Sequence, residues 1–417
     1  MSVIRPKLPE DPLLLHLPSG AAACRQEPVA ARLEQARGEL LEALKPGADS
    51  FSLGQPERLL AAYGTTRSAA RRADSELFSI LATARAIRDR VDRVVYVGGR
   101  GECACVEALF ATCCHPFHNE LSRGERGGRP RLTYLAENWD SDRMQGILDL
   151  VAPSARVQRG ADLLDRWALV AAGAGETASE AAMYHLLRGA LRSSGALRAS
   201  PVASPVAEPV AEPVAEPVAV IPLPGSRLAS AATDCRDCFP LPEGVRGARA
   251  FFTAAGLLPA AIVGLDVVRL LEGAASMQRR FREAPPAENP VLALAAAHLL
   301  SGVFLHAHDP RLSTVIAWHE ALLAEEGMLS GGEQGPPFSL HLRAVAARRD
   351  PLANLAHHLA SLADVPVDRG VAQREIDARQ PAIELPRIDE HSVGQLIQFL
   401  LLHAAVARRL AGGRAAS

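Results

Sequence analysis

Short apolar segments alternate with longer helical patterns along most of this 417-residue chain. Before residue 200, the segments that are rich in β-branched and aromatic residues read "RVVYVGG" (93–99), "RLTYLAEN" (131–138) and "RWALVAAG" (166–173). Each is followed by a stretch with helical spacing of its apolar residues. Regular alternation of strand and helix is typical of βαβ units, in which the strands are parallel and helices cover the sheet. The sequence therefore predicts an α/β fold.

A proline-rich repeat interrupts this alternation. Residues 201–220 read "PVASPVAEPVAEPVAEPVAV", with a proline at the start of each four-residue unit. Proline fixes φ and lacks an amide donor, so the run favours an extended spacer over a helix or a strand. An expanded surface loop without further function is favoured over a docking site, because no basic residues flank the PxxP spacing. We take the repeat as the clearest domain boundary.

The alternation resumes after the repeat, so two α/β domains are predicted. Strands are expected at 219–224, 238–242, 303–308 and 338–345, and helices at 251–281, 289–302, 311–326 and 392–411. The predicted segments are an N-terminal extension (1–54), a first α/β domain (55–200), the linker (201–217), a second α/β domain (218–380) and a C-terminal helical arm (381–417).

Composition narrows the classes of partner. A formal charge of -2 and an isoelectric point near 6.7 indicate neither a nucleic-acid nor an anionic-lipid surface. No segment reaches the roughly 18 uninterrupted apolar residues of a membrane span. The seven cysteines do not form a disulfide framework in a chain of this length, which favours a reducing cytoplasm. "CRDC" (235–238) has no second ligand pair at zinc-finger spacing, so ordinary thiols are favoured over a zinc or redox site.

Three glycine-containing turns are candidates for ligand binding. They are "VYVGGRGECACVEALF" (95–110), "AAGAGETASE" (171–180) and "PEGVRGARAFF" (242–252), each of which precedes a predicted helix. Glycine lets a ligand approach the backbone closely, and the free amides of a helix N-terminus favour an anion. Such turns are common, so each is a weak signal by itself.

The third turn belongs to a segment that resembles a known family. The sequence "EGVRGARAFFTAAGLLPAAIVGLDVVRLLEGAASM" (243–277) resembles the part of glucose-6-phosphate isomerases that contains N-V-G-G-R, G-L-L-P and G-I-D. Other motifs of that family are resembled in the same order by residues 96–110, 134–148, 166–181, 219–228 and 384–407. The resemblance extends over about residues 55–410. It implies two sugar-isomerase (SIS) domains, each a three-layer α/β/α arrangement with a parallel sheet, together with a helical N-terminal segment and a C-terminal helix.

The resemblance assigns substrate-binding positions in the first and second turns. In the first turn Gly98 and Gly101 match family glycines, whereas Glu102 stands where the family has a serine. In the second turn Gly175 and Thr177 are retained. The phosphate-binding hydroxyls of the family fall on Ala172, Ala174 and Glu176, none of which can supply one.

In the third turn, Gly247 matches a substrate-binding glycine of the family. The active-site arginine falls on Ala248, and Arg246 and Arg249 flank this position as possible replacements.

Two further catalytic positions come from motifs near the end of the second domain. "HEALLAEEGM" (319–328) resembles the motif that carries the proton-transfer glutamate, which places it at Glu325. "FSLHLRAV" (338–345) loosely resembles the strand with the ring-opening histidine, which places it at His341. The pattern alone favours a solvated acid at a helix end and a structural histidine on a strand. The C-terminal lysine of the family has no counterpart.

The resemblance implies an aldose–ketose isomerase that interconverts glucose 6-phosphate and fructose 6-phosphate through an enediol. This chemistry needs a carboxylate base, a group that opens the sugar ring and positive charge beside the developing oxyanion. The expected ligand is a sugar phosphate, the expected assembly is a homodimer with shared active sites, and neither a metal nor a cofactor is expected. A non-catalytic SIS protein that binds sugar phosphates or has a structural role is the alternative, because several phosphate ligands of the family are replaced.

Overall fold

The computed structural model describes most of the chain between residues 12 and 412. The described residues are 12–17, 29–45, 51–64, 75–136, 140–151, 166–173, 178–193, 218–231, 233, 235, 237–328, 338–346 and 381–412. They form two compact units. One comprises 1–41, 272–316 and 330–417, and the other comprises 42–271 and 317–329. We call them the N/C unit and the central unit, respectively.

The secondary structure of the described residues is mixed. The strands are β1 (Leu14–His16), β2 (Arg93–Val97), β3 (Arg131–Leu135), β4 (Trp167–Gly173), β5 (Val218–Pro222), β6 (Asp237–Cys238), β7 (Val303–Ala307), β8 (Phe338–Ala346) and β9 (Ala382–Arg387). The helices are α1 (Val29–Ala43), α2 (Phe51–Gly64), α3 (Glu76–Arg90), α4 (Arg100–Cys113), α5 (Ser141–Val151), α6 (Ala178–Ser193), α7 (Arg227–Ala231), α8 (Ala254–Ile262), α9 (Val267–Glu283), α10 (Pro290–Ser301), α11 (Ser313–Glu325) and α12 (Glu390–Gly412). Short 3-10 helices span Gly247–Phe252, Pro286–Glu288 and Pro310–Leu312.

The central unit contains a parallel five-stranded sheet in the order β3-β2-β4-β5-β6. All seven residues of β4 are buried, which explains why this strand reads as a continuous apolar run and not as an alternating one. Alternate residues such as Val95 and Leu169 pack with α5 and α6 in one core cluster. Val94 and Val170 point to the opposite face and are also buried, so both faces of the sheet are covered.

The N/C unit contains a four-stranded sheet in the order β1-β9-β8-β7. β7, β8 and β9 are parallel, whereas the three-residue β1 pairs antiparallel with β9. The C-terminal helix α12 packs against α10, and its residues 391–404 are buried without interruption. The helix is therefore a core element of this unit.

The α/β class with parallel sheets, predicted from the sequence, is confirmed. Two details differ from the sequence-based outline. β5 and β6 follow the repeat but pair in the same sheet as β4, whereas the sequence predicts a second domain that begins at residue 218. The N-terminal extension supplies β1 and the C-terminal arm begins with β9, neither of which was predicted as a strand. Among the described helices, none has both the length and the apolar character needed to span a membrane.

Candidate active site

The central sheet has a topological switch point between β2 and β4. From β2 the chain proceeds to β3 on one side, and then crosses to β4 on the other side. In open α/β sheets, ligands bind outside the carboxyl ends of the strands at such a point. Gly98 follows β2 and Gly173 ends β4, so these glycines are at the expected position. Gly98 of the first predicted turn and Gly173 of the second therefore lie at the edge of the sheet where a ligand site is expected.

Space at this edge is limited by close backbone packing. A Cβ atom on Gly98 would lie 3.2 Å from the Tyr96 ring and 3.4 Å from the Ala172 carbonyl oxygen. A Cβ atom on Gly101 would overlap the Ala248 amide and the Glu325 carboxylate. The glycine at 101 thus allows the first turn of α4 to pack directly against the 3-10 helix that begins at Gly247.

Two carboxylates bind consecutive amides of that 3-10 helix. The Gly247 amide donates to Glu102 Oε1 at 2.7 Å. The next amide, that of Ala248, donates to both oxygens of Glu325 at 3.0 and 3.1 Å. Gly247 has φ of 59°, a conformation that glycine adopts without a steric penalty. The turn therefore presents the N–H groups of Gly247 and Ala248 to the carboxylates of Glu102 and Glu325.

Two side chains of helix α11 form hydrogen bonds with the backbone N–H and C=O groups of Ala248. Trp318 and Glu325 are seven residues apart on α11, a spacing that puts them on the same helix face. The Trp318 indole N–H donates to the Ala248 carbonyl at 2.9 Å, while the Glu325 carboxylate accepts from the Ala248 amide. Trp318 is fully buried and packs edge-on against Phe251 at 4.9 Å. This packing gives the carboxylate a rigid support.

The electrostatics of Glu325 favour a carboxyl group that holds its proton more tightly than usual. Although the residue as a whole is exposed, its carboxylate is lodged among backbone atoms of Gly101 and Gly247. Desolvation is the largest effect and raises the pKa of Glu325, and the charge of Glu102 raises it further. The Ala248 hydrogen bond and the charge of Arg249 act in the opposite direction. The net shift is upward.

The flanking arginines differ in their surroundings. Arg249 forms an ion pair with Glu326, with 2.7 Å between Nε and Oε1. Arg246 precedes the 3-10 helix as its N-cap residue and is exposed. Ala248 itself is fully buried, so no cationic side chain extends from the position where the family has its arginine.

The structure thus brings together four of the residues that the sequence singled out: Gly98, Gly101, Gly247 and Glu325. Gly175 and Thr177 lie outside the described residues. His341 belongs to the N/C unit, where it lies on β8 with its Nδ1 2.9 Å from His308 Nε2. Burial and the neighbouring histidines lower the pKa of His341. Among the described residues, no group of three or more His, Cys, Asp or Glu side chains is arranged to hold a metal ion.

Two contacts at the candidate site are not predicted from the sequence. One is the bond from the Gly247 amide to Glu102, which joins residues 145 positions apart. The other is the support of Ala248 by Trp318, whose seven-residue spacing from Glu325 was the available signal.

Curated relatives share the sequence at moderate identity. Glucose-6-phosphate isomerase from Rubrobacter xylanophilus is 30% identical over 240 residues, covering 55% of this chain and 49% of the relative. Glucose-6-phosphate isomerase from Shouchella clausii is 23% identical over 381 residues, covering 81% of this chain and 79% of the relative. The chain spans about half the length of the Rubrobacter protein and of a third relative, from Carboxydothermus hydrogenoformans. No protein-family model matches the chain.

Solved structures show the same fold over nearly the whole chain. A hypothetical protein from Thermus thermophilus superposes with a TM-score of 0.64 at 21% identity, covering 95% of this chain and 94% of that one. A glucose-6-phosphate isomerase from Chlamydia trachomatis superposes with a TM-score of 0.60 at 14% identity, covering 94% and 81%. These similarities support a divergent relative of the glucose-6-phosphate isomerases, with the fold of the two solved structures.

The similarity to glucose-6-phosphate isomerases makes it possible to compare the site with the motifs of that family, position by position. The glycines that shape the backbone are present, and Glu325 is the residue that the sequence resemblance aligns with the proton-transfer glutamate. The serine position of the first turn holds Glu102, and the arginine position of the third turn holds Ala248. Compared with the motifs of the isomerase family, the described part of the site has gained a carboxylate and lost a guanidinium group.

Proposed function

We propose that the protein isomerises glucose 6-phosphate and fructose 6-phosphate through an enediol, with Glu325 as the base. The observation that carries this proposal is the position of the Glu325 carboxylate on the Ala248 amide, at the carboxyl edge of the sheet. A carboxyl group whose pKa is raised toward neutrality is a better general base than an ordinary one, because proton transfer is most efficient when the pKa is near the operating pH.

The remaining groups have complementary proposed roles. Arg246 and Arg249 supply positive charge toward the developing oxyanion, in place of the arginine that Ala248 replaces. His341 opens the sugar ring. Substrate contacts come from the backbone of Gly98, Gly101, Gly175 and Gly247 and from the Thr177 hydroxyl. The assembly that we propose is a homodimer with shared active sites, located in the cytoplasm and acting in glycolysis and gluconeogenesis.

A coupled assay that reduces a nicotinamide cofactor as glucose 6-phosphate forms from fructose 6-phosphate tests the proposal. We expect Glu325→Gln to lower kcat by about 10²- to 10⁴-fold, the usual contribution of a general base. Glu320→Gln is the matched control, because Glu320 is an exposed acid on the same helix. No turnover by the unmodified protein at high concentration, or equal activity of Glu325→Gln and Glu320→Gln, would contradict the proposed role of Glu325.

Ala248 supports a second candidate function, which is sugar-phosphate binding without catalysis. A fully buried alanine provides no cation for the oxyanion, so binding can survive where turnover does not. This function predicts that fructose 6-phosphate raises the melting temperature of a protein that shows no turnover. A melting temperature that is unchanged by sugar phosphates counts against it.

A further inference from the structure

Glu102 has its carboxylate inside the glycine-lined part of the site. The residue is only 5% exposed. Its Oε1 accepts the Gly247 amide at 2.7 Å and lies 3.6 Å from where a Cβ atom on Gly173 would be. The N-cap of α4, Gly99, offers no side-chain cap, and its amide nitrogen is 3.6 Å from the same point. The backbone at Gly99, Gly173 and Gly247 thus surrounds the Glu102 carboxylate.

Helix capping alone does not account for this arrangement. Glu102 is the third residue of α4, where a glutamate typically reaches back to the amide of the N-cap residue. Here the carboxylate accepts a hydrogen bond from an amide on a different element, 145 positions along the chain. It therefore occupies a backbone N–H group that a bound anion would otherwise use.

Neighbouring charges make the region unfavourable for a second anion. The Glu325 carboxylate binds the adjacent amide, so two consecutive N–H groups already face protein carboxylates. Of the two arginines that flank this turn, Arg249 is ion-paired with Glu326, and Arg246 is exposed to solvent. A phosphate at this turn would have to displace Glu102 from the Gly247 amide and would be repelled by both carboxylates. Neutral sugar hydroxyls, in contrast, can donate hydrogen bonds to carboxylate oxygens.

We propose that Glu102 is a specificity-determining residue, which rejects a phosphate group at the turn after β2 and accepts the hydroxyl groups of an uncharged sugar there. This inference rests on the proposed aldose–ketose isomerisation at this site, and it replaces the two sugar phosphates with the corresponding uncharged sugars as the preferred substrates. The ligand that it favours is an aldose or ketose without a phosphate at this turn. The protein is therefore expected to bind a sugar phosphate only slightly more tightly than the corresponding free sugar, or less tightly.

Calorimetric titration of the full chain with fructose and with fructose 6-phosphate tests this inference without requiring turnover. For the unmodified protein, we expect fructose 6-phosphate to bind less than about tenfold more tightly than fructose. Glu102→Gln keeps an oxygen that accepts the Gly247 amide but removes the charge. We expect it to bind fructose 6-phosphate more tightly by about tenfold or more, with fructose changed by less than about threefold. Glu102→Ser, which restores a hydroxyl at this position, should change binding in the same direction.

Glu243→Gln is the matched control, since Glu243 is an exposed acid four residues before Gly247, and it should leave both affinities unchanged. An unmodified protein that prefers fructose 6-phosphate by well over tenfold overturns the inference, and this measurement needs no variant. Folded Glu102 variants that bind fructose 6-phosphate no better than the unmodified protein, or not at all, overturn it too. Loss of turnover in Glu325→Gln bears on the proposed catalytic function only, so the two failures are distinguishable.

Discussion

Glycine at position 101 allows the Glu325 carboxylate to reach the Ala248 amide. A Cβ atom there would overlap the Ala248 amide nitrogen and Glu325 Oε1, and would lie 2.6 Å from the Gly247 carbonyl carbon. Two of these three atoms belong to backbone, which cannot move aside as a flexible side chain can. The contact between α4 and the 3-10 helix therefore depends on the absence of a side chain.

We expect Gly101→Ala to lower the free energy of unfolding by about 1–3 kcal/mol, the usual cost of overpacking, and to abolish any isomerase activity. Urea unfolding and the coupled assay measure the two effects. The control is Gly146→Ala on α5, where an added Cβ atom would meet nothing within 4 Å. That change should be neutral or stabilise by up to about 1 kcal/mol. Equal stability of the two variants would show that the packing at 101 is not restrictive.

The raised pKa of Glu325 predicts the direction in which the stability of the protein changes with pH. The folded protein favours the protonated carboxyl more than the unfolded chain does, relative to the ordinary value of 4.5. The resulting stabilisation is present below that value and is lost as the pH rises through the pKa of the folded state. Glu325→Gln cannot ionise, so it avoids this loss.

We therefore expect the stability of Glu325→Gln, relative to the unmodified protein, to increase between pH 4.5 and pH 7.5. The change should be below about 1 kcal/mol, because the residue is partly solvent-exposed. Urea midpoints at the two pH values measure it, with Glu320→Gln as the reference for an exposed acid on the same helix. A relative stability that falls over this range would mean that the pKa is lowered rather than raised.

The order of the family motifs predicts which residues lie close together at the candidate site, but not how their side chains are hydrogen-bonded. The resemblance to the isomerase family predicts Glu325, Gly101 and Gly247 as site residues, and the structure brings them into contact. The bond between Glu102 and the Gly247 amide depends on packing between a helix and a turn that are far apart in sequence. Local patterns carry no information about such a contact.

At the scale of elements, the start of β2 is held by a buried ionic cluster. Asp92 is fully buried and accepts from Arg123 at 3.1 Å, from Arg126 at 2.6 Å and from Arg131. These arginines lie on the segment between α4 and β3 and at the start of β3. Arg123 also donates to the carbonyls of Arg88 and Val91, at the end of α3 and just after it. Through Asp92 and Arg123, this segment is thus linked to the start of β2 and to the end of α3.

Asp92→Asn should destabilise the protein by about 3–5 kcal/mol, because removing one partner of a buried ion pair leaves the other charges uncompensated. Its effect is best compared with that of Asp89→Asn. Asp89 pairs with Arg85 at 3.9 Å on the exposed surface of α3, and its replacement should cost less than about 1 kcal/mol. Urea unfolding of both variants provides the measurement. Similar midpoints would show that the arginines find other partners.

Elements were predicted best where periodicity is strong. The strands β2, β3 and β4 lie within the predicted segments, since each is a clear apolar run followed by a helix. β1 has three residues and β9 contains Pro386, so neither shows a strand pattern of its own. Both are stabilised by pairing across the sheet, which unites residues from the two ends of the chain. The predicted helix over 251–281 is interrupted near Gly264, whose φ is 84°.

At the scale of the whole molecule, the proline repeat was a misleading guide to the division of the chain. A run of prolines typically separates domains, but here the strands on either side of it are neighbours. β4 precedes the repeat, β5 follows it, and they pair in parallel from Leu169 with Val218 to Gly173 with Pro222. A parallel pair requires a crossover connection, and α6 lies in that connection. The composition of a spacer therefore does not show whether the strands before and after it belong to the same sheet.

This topology leads to a prediction about the repeat itself. The segment from 194 to 217, which lies outside the described residues, separates α6 from β5 by 24 residues, because α6 ends at Ser193 and β5 begins at Val218. If the segment serves only as a connection, deletion of two repeat units (205–212) shortens it and so reduces the entropic cost of holding its two ends together. The expected gain in the free energy of unfolding is only about 0.4 kcal/mol.

Insertion of two further repeat units is the matched control, and it should destabilise the protein by about 0.3 kcal/mol. Urea midpoints and calorimetric binding of fructose and fructose 6-phosphate should therefore be nearly the same for all three lengths. A loss of more than about 1 kcal/mol on deletion, against a small effect of insertion, would mean that the repeat makes stabilising contacts. A change in sugar affinity without a change in stability would instead connect the repeat to the carboxyl edge of the sheet, where β4 ends at Gly173.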